Sequence, residues 1–277
     1  MRRILLFVFA AVLAAEPRRI VSSAPSVTEM LFALGLGDRV VGVSTYCHYP
    51  PEVKKIAKIG TYLKPNLETI LQLKPDLVIM QQTAVHSRQQ FGSLRLNVLE
   101  VRHDTVGGIF ESIEQIGAAA GVAEAARALN GSIRSQLRDV LQSVSGKKRS
   151  LVFIVGRTPG ALEGMIAVGK GSYLSEVMKI AGGRNIFADS LAAYPKISHE
   201  EILARNPDVV IDMGEMADTT AVTEEQKRAV VALWRRYPAL KAVKEGRVYA
   251  VASDIFVVPG PRVVELAREF ARILHPR

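Results

Sequence analysis

The sequence predicts an α/β protein of two lobes with parallel sheets, joined by a long linking α-helix. Three observations carry that prediction. A helix–turn–strand unit occurs twice, NLETILQLKPDLVIM at Asn66–Met80 and SHEEILARNPDVVIDM at Ser198–Met213, with Asn66 matching Ser198 across 132 residues. Between the copies lies a long amphipathic stretch, Val122–Val144. Along the whole chain, short β-branched runs alternate with helical patterns, the order that builds parallel sheets with right-handed crossovers. Two such units far apart read as two Rossmann-like lobes rather than one continuous sheet.

Each copy of the repeat says the same thing physically. Asn66 or Ser198 is a good N-cap, and Glu68 or Glu200 suits the positive end of the helix dipole. Two helical turns follow, Pro75-Asp76 or Pro207-Asp208 stops them, and a β-branched run forms a buried strand.

The remaining elements follow in order. Ile20–Ser22 is a short strand leading into Ser26-Val27-Thr28-Glu29, which reads as a capping box opening a helix over Val27–Leu34. Gly35 and Gly37 end that helix. Val40–Val43 is a second strand, Pro51 starts a short helix, Lys58–Gly60 is a third strand, and Val98–Val101 closes the lobe. Ile109, Ile113 and Ile116 give a helical face that Gly117 and Gly121 interrupt. Ile133, Leu137, Val140 and Val144 then face one side of the long helix, roughly 35 Å at 1.5 Å per residue. The second lobe opens with strands Ser150–Val155 and Met165–Val168, and a helix runs from Ser172 to Gly182. Helix Glu224–Trp234, strand Arg247–Val251 and a last helix from Pro261 to Leu274 complete it, with Trp234 in the core. The expected division is therefore 1–15, 16–105 for the first lobe, 106–146 for the helical linker and 147–277 for the second lobe.

The first fifteen residues differ in kind. Met1-Arg2-Arg3 is basic and Ile4–Ala15 is an unbroken apolar run, too short to span a bilayer. This reads as a cleavable signal peptide, and no cysteine lies near the cut, so the mature protein is expected free in a periplasm without a lipid anchor. Cys47 is the only cysteine, which excludes an internal disulfide. Removing Arg2 and Arg3 lowers the formal charge from +9 to +7, spread along the chain in clusters no longer than Lys147-Lys148-Arg149. Such clusters are ordinarily solvated surface, and nucleic acid is not an expected partner.

The motifs of chemistry are missing. Gly164–Gly171 nearly fits a phosphate loop, but Gly171 replaces the required hydroxyl residue and the variable positions are apolar. The five histidines, His48, His86, His103, His199 and His275, make no i,i+4 pair. No catalytic constellation and no metal site is expected, so the chain reads as a binder, with a secreted α/β enzyme whose catalytic groups lie far apart in sequence as the rival from another class. What remains is aromatic and polar material in loops beyond strand ends, where two-lobed α/β proteins hold ligands. Tyr46, His48 and Tyr49 follow the second strand, Tyr62 and Tyr194 stand before the two repeat helices, and Phe256 and Arg262 flank Pro259-Gly260-Pro261. Each alone is ordinarily a half-buried loop residue, but together they suit walls that grip a large, flat ligand.

The stretches RIVSSAPSVTEMLFALGLGDRVVGVSTYCHYPPEV, KIGTYLKPNLETILQLKPDLVI, AGGRNIF and YPKISHEEILARNPDVVI resemble the cluster-III, helical-backbone substrate-binding proteins of ABC importers, which serve cobalamin, haem and ferric siderophores. The cobalamin-binding branch is the most similar. That resemblance implies a monomer that captures a corrinoid and delivers it to a membrane permease, with a rigid linking helix that limits lobe opening to small angles. By the same resemblance Tyr46, Tyr62 and Tyr194 contact the corrin or its nucleotide loop, and Glu68 and Glu200 dock onto permease arginines. Where a cobalamin-binding member carries Trp, this chain has Tyr62, Gln81, Tyr194 and Ile255. Tyr46 and His48 offer an alternative set of ligands for haem iron.

Overall fold

A computed structural model describes residues 16–61, 63–82, 91, 96–144, 148–214 and 222–276. The signal-peptide expectation for residues 1–15 lies outside them. The first sheet has the order β3-β2-β1-β4-β5, all parallel, from β1 (Ile20–Ser22), β2 (Val40–Val43), β3 (Ala57–Lys58), β4 (Leu77–Gln81) and β5 (Val98–Val101). The second has the order β11-β10-β6-β7-β9, with β8 also pairing β6. Its strands are β6 (Arg149–Gly156), β7 (Met165–Ala167), β8 (Gly183–Asn185), β9 (Lys196–Ile197), β10 (Val209–Asp212) and β11 (Val248–Ala250).

That second sheet is mixed, against the expectation of parallel strands throughout. β7 runs antiparallel to both β6 and β9. Only residues 157–164 join β6 to β7, too few for the crossover that a parallel neighbour needs.

The helices are α1 (Pro25–Ala33), α2 (Leu67–Gln72), α3 (Val106–Ala119), α4 (Ala123–Ser143), α5 (Tyr173–Ile180), α6 (His199–Arg205), α7 (Glu224–Trp234), α8 (Lys241–Lys244) and α9 (Val263–Leu274). Among the described residues, none is long and apolar enough to cross a membrane. The long helix is α4, 21 residues and about 31 Å. Gly117 does not break the helix before it. It lies inside α3, where a Cβ would stand 2.4 Å from that of Ala126, so the missing side chain lets α3 and α4 approach closely. Gly121, with φ +77°, makes the turn between them.

Alternation along the strands assigns each sheet two apolar faces. Ile20, Val43, Leu77 and Ile79 of the first sheet, and Leu151, Phe153, Val209 and Ile211 of the second, share one core with α1, α3, α4, α5 and α9. The opposite faces are covered separately. Val21, Val78 and Met80 pack on Ile70 of α2, and Val152, Ile154 and Val210 pack on Ile202 of α6. The repeat helices therefore roof the two outer faces, which explains why the unit occurs twice.

The repeat extends to its backbone. Asn66 caps α2 by accepting from Thr69 N–H, and Ser198 caps α6 in a full capping box with Glu201. Lys74 and Asn206, matched positions before the prolines, both take left-handed conformations, with φ 46° and 42°. Asp76 accepts the backbone N–H groups of Arg18 and Arg19 at 2.8 and 2.9 Å, just before β1. Asp208 accepts Ser150 N–H and Oγ–H at 2.8 Å each, at the start of β6.

The capping box expected at Ser26–Glu29 is not formed. The helix starts earlier, with Ala24 flanking it and Pro25 at its first position, and no side chain caps it. Ser26 and Glu29 are buried and serve other elements: Ser26 Oγ meets His103 Nε2 at 2.8 Å, and Glu29 pairs with Arg262.

Candidate functional site

Among the described residues, five of the seven exposed large apolar side chains lie in loops rather than on helices. After β2, backbone bonds hold the loop down, Ser44 N–H donating to Ser22 O at 3.2 Å and Thr45 N–H to Gly60 O at 2.9 Å. Cys47 points inward, its Sγ 3.2 Å from Thr28 Oγ1, and burial pushes its thiol up to about 11. It is an anchor that stays protonated, and its neighbours Tyr46, His48 and Tyr49 are thereby turned outward.

Five large apolar side chains are exposed in these loops: Tyr46 (51%), Tyr49 (43%) and Leu63 (65%) in the first lobe, Tyr194 (46%) and the fully exposed Leu191 in the second. Tyr194 lies near Asp104, at the end of the first lobe, and partial burial together with that carboxylate pushes its hydroxyl up to about 12. The lobes meet beside it, where Tyr173 N–H donates to Asp104 O at 2.6 Å and Val106 N–H donates to Glu176 at 2.8 Å. Thus α3 and α5 bring their N-termini together, and the first N–H of each is satisfied across the junction.

At the same junction Arg262 crosses between lobes. Its Nε donates to Glu29 Oε2 at 2.9 Å, its Nη2 to Glu29 Oε1, and its Nη1 to Asp254 Oδ1 at 3.1 Å. Tyr49 lies against its flat face, 4.1 Å from ring centroid to guanidinium carbon. Burial pushes the Glu29 carboxyl up, to about 7, against the pull of Arg262. For Arg262 burial works against the charge, but pairing with Glu29 and Asp254 outweighs it and raises the guanidinium further.

The site residues expected from sequence divide as follows. Tyr46, His48 and Tyr194 are exposed at strand-end loops, and Gln81 is a half-buried residue closing β4. Tyr62 lies outside the described residues. Phe256 is not a wall residue: it is 3% exposed and packs edge-on against Phe153 and Phe270, each at 5.7 Å between centroids. Arg262 is spent on carboxylates. Glu68 and Glu200 project into solvent from the first turns of α2 and α6. Their surroundings differ, since Glu68 accepts only a long bond from Gln72 at 3.4 Å, whereas Glu200 lies 3.0 Å from His199 Nε2. Its own backbone N–H, the Ser198 side chain and His199 hold the Glu200 carboxyl below its usual range.

Sequence reasoning missed Leu63 and Leu191, and it missed a buried pair in the second lobe. Asp212, at the end of β10, accepts from Arg157 Nε at 3.0 Å and Trp234 Nε1 at 2.7 Å, all three being buried. No local pattern marks a pairing across 55 residues. Among the described residues no group of three or more His, Cys, Asp or Glu is placed to hold a metal ion.

Comparison with known proteins gives this geometry a family. A model of the periplasmic binding protein family matches residues 20–255. A substrate-binding lipoprotein of an ABC transporter from Bacillus subtilis (strain 168) is 33% identical over 270 residues, covering 94% of this chain and 81% of its own length. The vitamin B12-binding protein of Vibrio cholerae is 30% identical over 260 residues, covering 92% and 88%. The crystal structure of the periplasmic vitamin B12-binding protein of Vibrio cholerae superposes with a TM-score of 0.77 at 28% identity, over 94% of this chain and 97% of that one. The periplasmic haem-binding protein of the same organism has this fold too, with a TM-score of 0.79 at 21% identity over 93% and 99%. With two lobes, a shared core and this match over most of its length, the chain belongs to the periplasmic binding protein family.

Proposed function

We propose that the protein captures a corrinoid of the vitamin B12 type between its lobes and delivers it, unchanged, to an ABC import permease. The observation that carries this reading is the set of exposed apolar side chains, Tyr46, Tyr49 and Leu63 from one lobe and Leu191 and Tyr194 from the other, beyond the strand ends. Flat aromatic and branched surfaces bind a macrocycle through stacking and burial, without needing a charged partner. The likeness to vitamin B12-binding proteins supports the choice of macrocycle. The linking helix and the shared core favour small opening angles over a wide hinge.

Haem is the second reading, favoured by Tyr46 and His48, which are exposed on one loop and offer two kinds of iron ligand. A ferric siderophore is the remaining alternative of the same importer class. Purified protein incubated with cyanocobalamin, haem or a ferric siderophore is passed through gel filtration, and the absorption spectrum of the protein peak is read. Cobalamin is expected to co-elute unaltered. Co-elution of haem alone overturns the corrinoid assignment, and turnover of the bound molecule overturns the binder.

Glu68 and Glu200 are the proposed docking pair. Capping accounts for one first-turn acid, worth about 0.3–1 kcal/mol, but not for the same acid at the same point of both repeats. Glu68→Gln with Glu200→Gln is expected to keep ligand affinity and nearly all stability while greatly reducing uptake through reconstituted permease. Uptake at the wild-type rate at physiological salt would leave only the capping role. The mature protein is expected in the soluble periplasmic fraction. Recovery with membranes would instead place it beside the Bacillus subtilis relative, a lipoprotein by name.

A further inference from the structure

Four of the five N–H donors of the Arg262 guanidinium are committed to carboxylates. Nε and Nη2 form a fork on Glu29 of α1, and Nη1 and Nη2 reach Asp254, with Nη2 3.0 Å from Asp254 Oδ2. The Glu29 side chain is 3% exposed and that of Arg262 11%, so the fork is shielded from water and held in one plane. Gly260 packs against it, a Cβ there standing 3.2 Å from Glu29 Oε2. An arginine committed in this way offers mainly its flat faces for further contact. One face holds the ring of Tyr49, which comes from the opposite lobe and is 43% exposed.

From this geometry we propose that Arg262 is a positioning residue: it does not touch the ligand, but fixes Tyr49 as part of the cleft wall, while Glu29 and Asp254 fix Arg262. The proposal rests on the reading of the cleft as a ligand site. It replaces the sequence-based expectation that Arg262 contacts ligand, because four of its five N–H donors are already spent on two carboxylates. It also gives Glu29 a role. That acid ties the first lobe to the second at the residue on which Tyr49 lies, so the wall is set only when the lobes are in register. Loss of the clamp frees Tyr49 to sample other rotamers, and affinity is expected to fall about three- to tenfold, the scale of one lost cation–π platform.

The first experiment needs no ligand. The mature chain carries 3-fluorotyrosine at position 49, and its fluorine resonance is recorded in wild type, Arg262→Gln and Glu29→Gln. A resonance displaced from that of free fluorotyrosine in wild type, collapsing toward it in both variants, is the expected result. An unchanged resonance in Arg262→Gln overturns the proposal. Thermal melts report whether each variant folds, and Glu29→Gln, which leaves Arg262 intact, serves if Arg262→Gln does not. The second experiment is a double-mutant cycle, titrating cyanocobalamin and haem by calorimetry. Arg262→Gln is expected to weaken binding in the Tyr49 background and to have no effect in Tyr49→Ala. An equal loss in both backgrounds assigns Arg262 to direct contact and overturns the proposal. Failure of the wild type to bind either probe removes the corrinoid and haem readings, and the fluorine result then still decides the positioning role.

Discussion

The two copies of the repeat use one backbone solution and load it differently. Both cap a short helix, turn through a left-handed residue before proline, and tie an aspartate to the strand beside them. In the first lobe that aspartate, Asp76, is exposed, and the strand position matched to Asp212 is apolar Met80, one residue before the end of β4. In the second lobe Asp208 also pairs with Lys241, and the matched strand end is Asp212, ion-paired to Arg157 and bonded to Trp234. Backbone geometry and helix capping are thus the repeated part. The polar contents depend on what packs beside the unit, because α7 delivers an indole N–H to the second copy that needs an acceptor.

The largest test of that difference is Asp212→Ala. It leaves the Arg157 charge and the Trp234 N–H buried without their partner, and about 3–5 kcal/mol of stability is expected to disappear in urea unfolding. Making the second copy like the first, with Asp212→Met and Arg157→Met together, is expected to recover all but about 1 kcal/mol, the indole hydrogen bond. If the double variant is as unstable as Asp212→Ala, the pair is needed for more than mutual compensation.

The next contrast is between the aspartates. Asp208→Ala is expected to cost about 2 kcal/mol and Asp76→Ala about 1, since Asp208 holds a backbone group, a hydroxyl and an ammonium. Burial raises the Asp208 carboxyl, but Lys241 and Ser150 outweigh it and bring it down to about 2, from an ordinary 3.8. A depressed acid stabilises the fold above its unfolded value and loses that contribution as pH falls toward the folded one. Stability is therefore expected to drop between about pH 4 and pH 2 in the wild type, and less steeply in Asp208→Asn. Equal acid limbs in the two proteins would remove Asp208 from that loss.

The smallest effect concerns the left-handed residues. Lys74→Gly is expected to stabilise by about 1 kcal/mol, because glycine adopts that conformation without strain. Asn206→Gly is expected to be near neutral, since Asn206 Oδ1 also accepts Lys241 N–H at 2.8 Å and that bond is lost. Thermal melts of the two variants separate these outcomes, and equal shifts would show that the hydrogen bond contributes nothing.

These contrasts also mark what could be read from residues alone. The capped helices, the long amphipathic helix and the buried Trp234 were legible because caps and apolar periods are local signals. The direction of β7 was not, since it depends on how far eight linking residues can reach. At Ser26–Glu29 the local pattern was correct for a cap, yet both side chains were claimed from afar, Glu29 by a residue 233 positions away. In the site, aromatic loop residues were visible as a class, but which of them faces water was not. Phe256 and Tyr49 both read as loop aromatics, and packing on Phe153 and Phe270 buries one while Arg262 holds the other at the surface.

The shared core has a thermodynamic consequence. Ile20 and Ile79 of one sheet and Phe153 and Ile211 of the other belong to a single apolar cluster through α1, α3, α4, α5 and α9. Neither lobe can lose its inner layer without exposing that of its neighbour, so partial unfolding has no stable stopping point. Heat is expected to melt the chain in one transition, with calorimetric and van't Hoff enthalpies equal. Trp234, buried in the second lobe's separate outer cluster, and the first lobe's tyrosines are expected to report the same midpoint. By the same reasoning, a lobe excised at the start of α4 would carry an uncovered apolar face into solution and associate rather than fold alone. The duplicated architecture is, in its unfolding, one indivisible unit.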